Sequence, residues 1–177
     1  MPGSILTPRR RAAALADPLA HALIAAAVAA PLVRGCGRGP LVTAVVAGTL
    51  IDLDHPLAAR SVRLRHMVSL PTRPRTHSLL SAVGAGAVAA AAGGRAHAWA
   101  AFAGVASHLL YDAGDNAAPT PLLWPWSPPR QHGRGWTLAC MAALALGSAA
   151  VSRAAARGRA AGAAGSDGGA EAPPQTA

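Results

Sequence analysis

The stretch Asp52-Leu53-Asp54-His55 directly follows an apolar run, Leu41–Ile51, and the rest of the chain is organised around it. The whole chain has only seven Asp and Glu residues, and two of them lie in these four positions. Ionised side chains beside an apolar segment are unfavourable unless they are paired or bind a cation. The stretch therefore predicts the centre of a metal site next to a hydrophobic helix.

The composition indicates a membrane protein with an anionic partner. Of the 177 residues, 52% are hydrophobic and only 13% are charged, whereas roughly 25% are charged in ordinary soluble domains. Every basic residue is an arginine, and the net charge of +9 favours either nucleic acid or membrane lipids as a partner. The apolar segments favour membrane lipids, and no nucleic-acid partner is expected.

Five apolar segments separated by turn-forming residues predict an all-α, compact, membrane-embedded bundle of about four to five helices. The predicted helices cover residues 18–33, 41–51, 76–92, 96–111 and 136–151. Each is shorter than the roughly 20 residues of a full span, although flanking residues and local bilayer thinning can compensate. We expect a basic N-terminal segment over residues 1–16, a helical domain over 17–152 and a disordered tail over 153–177.

The N-terminal region has two interpretations. Its basic residues and first apolar run resemble a secretory signal that would be removed. Asp17 and His21 interrupt the apolar run, which favours a retained helix.

The arginines predict an orientation for a multi-pass protein of the cell (inner) membrane. Ten arginines fall on the side that includes the N-terminus and six on the other side. The positive-inside rule therefore favours a cytoplasmic N-terminus. Three of the six lie in the predicted tail, so the difference between the two sides is small.

Most of the His and Asp residues lie at helix ends that antiparallel packing would bring together. If successive helices alternate in direction, the starts of the first and third helices and the ends of the second and fourth share one side of the bundle. The residues at these ends are His21, Asp52, Asp54, His55, His77, His108 and Asp112. Because imidazole and carboxylate groups are ordinary ligands of zinc and similar ions, we expect a divalent metal, with zinc as the favoured ion.

Single members of this set also have structural explanations. A histidine near a helix end is often a surface or capping residue, and Asp17 with His21 forms an i,i+4 pair. Asp54-His55-Pro56 is typical of a turn. The metal hypothesis therefore depends on the whole set. Nothing in the predicted arrangement converges on three other histidines, which are His66, His97 and His132.

With these residues in view, the chain resembles the YdjM-like family of membrane-bound, predicted metal-dependent hydrolases. The match covers about residues 17–130, and the motifs occur in the family's order. They are Asp17-Pro-Leu-Ala-His21-Ala-Leu, Gly48-Thr-Leu-Ile-Asp52-Leu-Asp54-His55-Pro56, Arg75-Thr-His77-Ser-Leu-Leu, Ser107-His108-Leu-Leu-Tyr-Asp112 and Pro121-Leu-Leu-Trp-Pro-Trp-Ser127. The family is distantly similar to the zinc-dependent phospholipase C superfamily, whose members are all-helical enzymes with clustered His and Asp ligands.

The resemblance implies a hydrolase that uses metal-activated water on a phosphoester such as a lipid phosphate. The metal ligands that it implies are His21, Asp52, His77, His108 and Asp112, with Asp54 and His55 in the adjoining motif. We assign catalysis to Asp52, Asp54 and His77. Arg73 and Arg75, just before His77, are candidates for holding an anionic substrate, and they fit a positive cytoplasmic loop equally well.

The chain departs from the family pattern at Pro74-Arg75 and, after Asp112, at Asp115 and Ala118. These departures concern substrate contacts more than metal ligands. The alternative function is a non-catalytic integral membrane protein whose His/Asp set binds a metal structurally or forms a polar network between helices.

Overall fold

The structure is a computed structural model that describes residues 8–115 and 118–166. Its long helices are α1 (Pro8–Ala29), α3 (Gly39–Leu50), α6 (Leu79–Asp115) and α7 (Arg134–Ser166). Shorter elements connect them: α2 (Leu32–Cys36), a 3₁₀ helix (Ile51–Asp54), α4 (His55–Ala58) and α5 (Leu64–Met67). In the described ranges the chain has no β-strand, and the predicted all-α bundle is confirmed.

Helix α6 is a helical hairpin rather than one straight rod. Gly94 within it has φ 74° and ψ −167°, a conformation that is essentially restricted to glycine. Ala82 and Leu109 pack in the same core cluster, although a straight helix would separate them by about 40 Å at 1.5 Å per residue. The chain therefore folds back at Gly94, and the separate third and fourth helices predicted from the sequence exist. We call residues 79–93 the first arm and residues 95–115 the second arm.

Helix α3 packs against the second arm with very little space between the two backbones. A Cβ atom added at Gly48 would lie 2.8 Å from the carbonyl oxygen of Gly104, and one at Gly104 would overlap the carbonyl of Ala44. Such close approach is typical of small residues at membrane helix interfaces. This packing places the end of α3 beside the end of the second arm.

Three segments are long and apolar enough to cross a membrane: Gly39–Ala58, Leu79–Gly114 and Arg134–Ala163. The second of them contains the hairpin turn at Gly94. Large apolar side chains such as Leu138 and Leu146 are exposed on the outer faces of these segments. Exposed apolar side chains on long helices are expected where lipid is the surrounding solvent.

Two helix boundaries differ from those predicted. Helix α1 begins at Pro8 and includes Pro18 in its interior, whereas a start near residue 18 was expected. Helix α7 continues to Ser166, so residues 153–166 are helical, whereas a tail was expected from residue 153. Alanine and arginine are strong helix formers, and in this segment they outweigh the glycines. The remaining parts of the predicted terminal segments, residues 1–7 and 167–177, lie outside the described residues.

Candidate metal centre

The seven His and Asp residues predicted from the sequence meet at one end of the bundle. They are contributed by α1 (His21), the 3₁₀ helix (Asp52 and Asp54), α4 (His55), the segment before α6 (His77) and the second arm (His108 and Asp112). All four histidines and Asp112 are buried. We call these seven residues the His/Asp cluster.

Two imidazoles and two carboxylates face one another in the middle of the cluster. Nε2 of His77 lies 3.5 Å from Oδ1 of Asp52 and 3.6 Å from Oδ2 of Asp112. Nε2 of His108 lies 3.3 Å and 3.6 Å from the same two oxygens. Ligand atoms about 2.0–2.1 Å from a tetrahedral metal are about 3.3–3.4 Å apart. The four nitrogen–oxygen separations are close to this value, and we call these residues the inner four.

The two inner imidazole nitrogens provide a second indication of a cation. Nε2 of His77 and Nε2 of His108 are buried, and neither makes a hydrogen bond with the described part of the chain. Buried polar atoms almost always have a partner, and a metal ion would supply one for both nitrogens. The donor set of the inner four therefore fits a divalent metal.

Asp54 contacts the opposite side of the His77 ring. Its Oδ2 lies 3.1 Å from Nδ1 of His77 and accepts a hydrogen bond from the hydroxyl of Thr76. A carboxylate on the far nitrogen of a metal-binding imidazole sets the tautomer and directs the other nitrogen to the metal. Asp52 therefore has the position of a ligand, and Asp54 has the position of a group that orients a ligand.

The electrostatics around His77 agree with a cation at this place. Burial opposes protonation of the imidazole, but the carboxylates of Asp52 and Asp54, one beside each ring nitrogen, outweigh burial and raise the pKa of His77 above the ordinary value. The surrounding carboxylates thus favour a positive charge here. A bound metal would replace the proton, because histidine binds metals through a deprotonated nitrogen.

Arg73 is held by two members of the cluster. Its Nη2 donates a hydrogen bond to Oδ1 of Asp112 at 3.0 Å, and its Nε lies 3.0 Å from Oδ2 of the same carboxylate. Its Nη1 lies 2.6 Å from Nε2 of His55, while Nδ1 of His55 lies 3.0 Å from Oδ1 of Asp54. Such a two-point contact fixes the orientation of the carboxylate. Arg73 is therefore part of the cluster's framework.

His21 extends the cluster on the side of α1. Its ring stacks on that of His108, with the ring centroids 3.6 Å apart. Its Nε2 lies 3.6 Å from Oδ2 of Asp17 and 3.6 Å from Oδ1 of Asp112. Two groups in the cluster have ligand atoms close enough for an ion: His21 with His108 and Asp112, and Asp52 with His55 and His77. Adjoining groups of this kind can hold two ions.

Arg75 lies outside the cluster, next to a tryptophan-rich loop. Its guanidinium carbon is 5.8 Å from the centre of the Trp124 ring. The loop is attached to this end of the bundle, because Leu79 N–H donates to the Leu122 carbonyl and Arg73 N–H to the Pro119 carbonyl. Tryptophan is enriched where a membrane meets water, and Trp126 is 79% exposed. The cluster thus lies at the end of the bundle that carries features of a membrane interface.

Thr76 is a site residue that the sequence analysis missed. The third helix was predicted to start at residue 76, but α6 begins at Leu79 and the Thr76 hydroxyl bonds to Asp54. Its position next to His77 was the available signal. Two of the histidines set aside earlier bond elsewhere: His97 with Thr43, and His66 with Ser61.

Over most of its length the chain matches a known family. Residues 17–166 match the family model described as YdjM inner membrane protein. No curated protein and no solved structure matches the chain. The matched range includes every residue of the His/Asp cluster, and the description states a location without a reaction.

Proposed function

The chain belongs to the YdjM family of inner membrane proteins, and we propose that it is a metal-dependent hydrolase of a phosphoester such as a lipid phosphate. It is a multi-pass inner membrane protein with three segments that can cross a membrane. The proposal is carried by the inner four residues, whose nitrogen and oxygen atoms are 3.3–3.6 Å apart.

The location of the carboxylates supports a bound cation. Asp52 and Asp112 both lie within segments long and apolar enough to cross the membrane. An ionised carboxylate costs about 2.5–3.5 kcal/mol at the centre of such a helix, and this figure is an upper bound for these two at the helix ends. A divalent ion between these carboxylates would offset part of that cost. Zinc is the favoured ion because two imidazoles and two carboxylates form an ordinary zinc ligand set.

The inner four have one task in this proposal, and Asp54 and Arg73 support them. A divalent ion held by the inner four would polarise the phosphoryl group and lower the pKa of a bound water. Asp54 keeps the His77 ring in position, and Arg73 keeps Asp112 in position. The side chain of Asp52 is 28% exposed, whereas those of the other inner residues are at 0%. Substrate and water would therefore approach from the Asp52 side.

The two arginines predicted to hold the substrate differ in availability. Arg73 is engaged by Asp112 and His55, whereas Arg75 is exposed beside Trp124. An exposed guanidinium can pair with two phosphate oxygens. We therefore assign the anionic group of the substrate to Arg75.

A non-catalytic role is the second candidate, and one observation favours it. Arg73 already contacts both carboxylate oxygens of Asp112, so part of the cluster is neutralised by the protein itself. In that case the cluster would be a polar network that joins α1, the 3₁₀ helix and the second arm. Such networks between membrane helices stabilise them modestly, by about 0.6–2 kcal/mol for each contact.

Metal analysis of the purified protein, followed by a hydrolysis assay, tests the proposal. We expect about one or two divalent ions per chain in the wild type, and loss of metal in His77→Ala and Asp112→Ala. His97→Ala, a histidine outside the cluster, is the matched control and retains its metal. Chelator-sensitive release of phosphate from a phosphomonoester and phosphodiester panel would support the enzyme. A metal-free wild type, or unchanged metal in both cluster variants, would rule it out.

A further inference from the structure

An apolar groove of about 980 Å³ lies between α3 and the first arm of α6. This volume is at the upper end of the roughly 300–1,000 Å³ typical of small-ligand pockets. The walls are built from aliphatic side chains of both helices. They include Val42, Val46 and Leu50 of α3 and Ala85, Val88 and Ala89 of the first arm.

The groove is polar at the end where it reaches the His/Asp cluster. Asp54 and Thr76 line this end, and both belong to the hydrogen-bond system of His77. The opposite end is formed by Gly93 and His97 near the hairpin turn. One continuous surface therefore leads from the hairpin turn to the candidate metal centre.

The helix arm along the groove is longer than one layer of lipid is deep. The first arm from Leu79 to Gly93 is about 21 Å long at 1.5 Å per residue. One leaflet is about 15 Å deep, half of the roughly 30 Å hydrocarbon core. A lipid chain from a single leaflet can thus lie along the groove.

The groove is open to the outside of the bundle. Val88 on its wall is 74% exposed, and α3 and α6 both belong to segments that can cross the membrane. The loop containing Trp124 and Trp126 is attached at the polar end. The polar end therefore lies at headgroup level, and the apolar walls extend into the hydrocarbon.

We propose that one hydrocarbon chain of a lipid phosphate lies in this groove, with its phosphate beside Asp54, Thr76 and the metal centre. This inference deepens the proposed function and rests on it, because the metal centre supplies the reason for a phosphate at that end. The charge of Asp54 is engaged by His77 and Thr76, and Arg75 at the same end is available for the phosphate. The groove thus selects a substrate that is already in the membrane.

The groove orients the hydrocarbon chain of the lipid by its shape. Moving a chain from lipid into an apolar groove gains little from the hydrophobic effect, because both surroundings are apolar. The orientation of the hydrocarbon chain therefore depends on its packing against α3 and the first arm. The direct test is to determine where this hydrocarbon chain lies.

Photocrosslinking in lipid nanodiscs makes that measurement without requiring turnover. The probe is phosphatidic acid with a diazirine in the middle of one acyl chain, and the reference is phosphatidylcholine with the same labelled chain. We expect phosphatidic acid adducts on α3 and the first arm. The labelled phosphatidylcholine should show no preference for the groove. It should label exposed residues of α7, such as Leu138 and Leu146, as much as any other lipid-facing surface.

Two matched variants test the groove, and only one of them blocks it. Val88 lines the groove, whereas Val83 is exposed on the same arm and is not part of its lining. We expect Val88→Trp to lower the phosphatidic acid adducts on α3 about tenfold, and Val83→Trp to leave them within about twofold. Both changes place a tryptophan at an exposed position of the same arm, so we expect similar effects on folding.

The outcomes separate this inference from the proposed function. Equal labelling by both lipids, or equal effects of the two variants, would overturn the groove assignment even if the protein hydrolyses short-chain phosphoesters. Groove labelling without any hydrolysis would uphold the groove and contradict the enzyme. A dimer that dissociates in Val88→Trp but not in Val83→Trp would assign the groove to a second copy and overturn the inference.

Discussion

Asp52 and Asp54 are only two positions apart and make different contacts. Oδ1 of Asp52 lies 3.3–3.5 Å from one ring nitrogen of each of His55, His77 and His108. Asp54 instead contacts Nδ1 of His77, on the far side of the ring. The sequence placed both in the metal site and left their roles undivided.

We expect Asp52→Asn and Asp54→Asn to differ in metal affinity. Asp52→Asn removes a charged ligand and should abolish zinc binding. Asp54→Asn removes only the group that orients His77 and should weaken zinc binding about 10–100-fold. Competitive zinc titration with a coloured chelator measures both. Equal affinities of the two variants would contradict the division of roles.

Arg73 should be important for stability, whereas Arg75 should not. Arg73→Gln leaves the buried carboxylate of Asp112 without its guanidinium, and loss of one partner of a buried pair costs about 3–5 kcal/mol. Arg75→Gln, on the exposed side of the same loop, should change stability by less than about 0.5 kcal/mol. Thermal unfolding in detergent with a chelator present compares them. Similar melting temperatures would show that the Arg73–Asp112 pair has no structural role.

At the scale of elements, the hairpin in α6 depends on one glycine. Gly94 has φ 74° and ψ −167°, and this turn directs the first arm back along the second. As a result, the start of the first arm lies beside the end of the second arm, and His77 comes close to His108.

Gly94→Ala should therefore destabilise the hairpin. A side chain in this backbone region costs about 1–3 kcal/mol. Gly84→Ala is the matched control, because an added Cβ there meets nothing within 4 Å. Alanine in a helix interior is favoured over glycine by about 1 kcal/mol, so this control should be neutral or more stable. Circular dichroism melts of both variants in one detergent measure the difference. Equal melting temperatures would contradict the prediction that Gly94→Ala is the less stable variant.

At the scale of the whole molecule, the His/Asp cluster joins elements that are far apart in the sequence. The residues that meet there come from α1, the 3₁₀ helix, α4, the segment before the first arm, and the second arm. A bound ion would therefore stabilise the bundle as a unit.

Removing the metal should lower the melting temperature of the whole protein. An ion present at one hundred times its dissociation constant stabilises the folded state by about 2.7 kcal/mol. We expect a chelator to lower the melting temperature of the wild type and of His97→Ala, and to leave that of His77→Ala unchanged. If the wild type melts at the same temperature with and without chelator, the cluster holds no stabilising ion.

The part of the fold that could be predicted is the part with a local cause. Apolar runs and breaks such as Gly93-Gly94 indicated the long helices and their order, because hydrophobicity and backbone freedom are properties of short segments. The extension of α7 to Ser166 also has a local cause, because its alanines and arginines favour a helix, whereas a tail was expected there. Thr76 was predicted only as the start of a helix, because its partner Asp54 is distant in the sequence.

The sequence by itself determined which residues form the His/Asp cluster, because antiparallel helices of similar length must place alternate ends on one side. Only the tertiary structure decided which contacts each member makes. The contact of Gly104 with Ala44 sets how closely the end of α3 approaches the second arm, and this approach brings Asp52 within 3.3 Å of His108. Distances of this kind depend on packing between separate segments, which no pattern within one segment specifies.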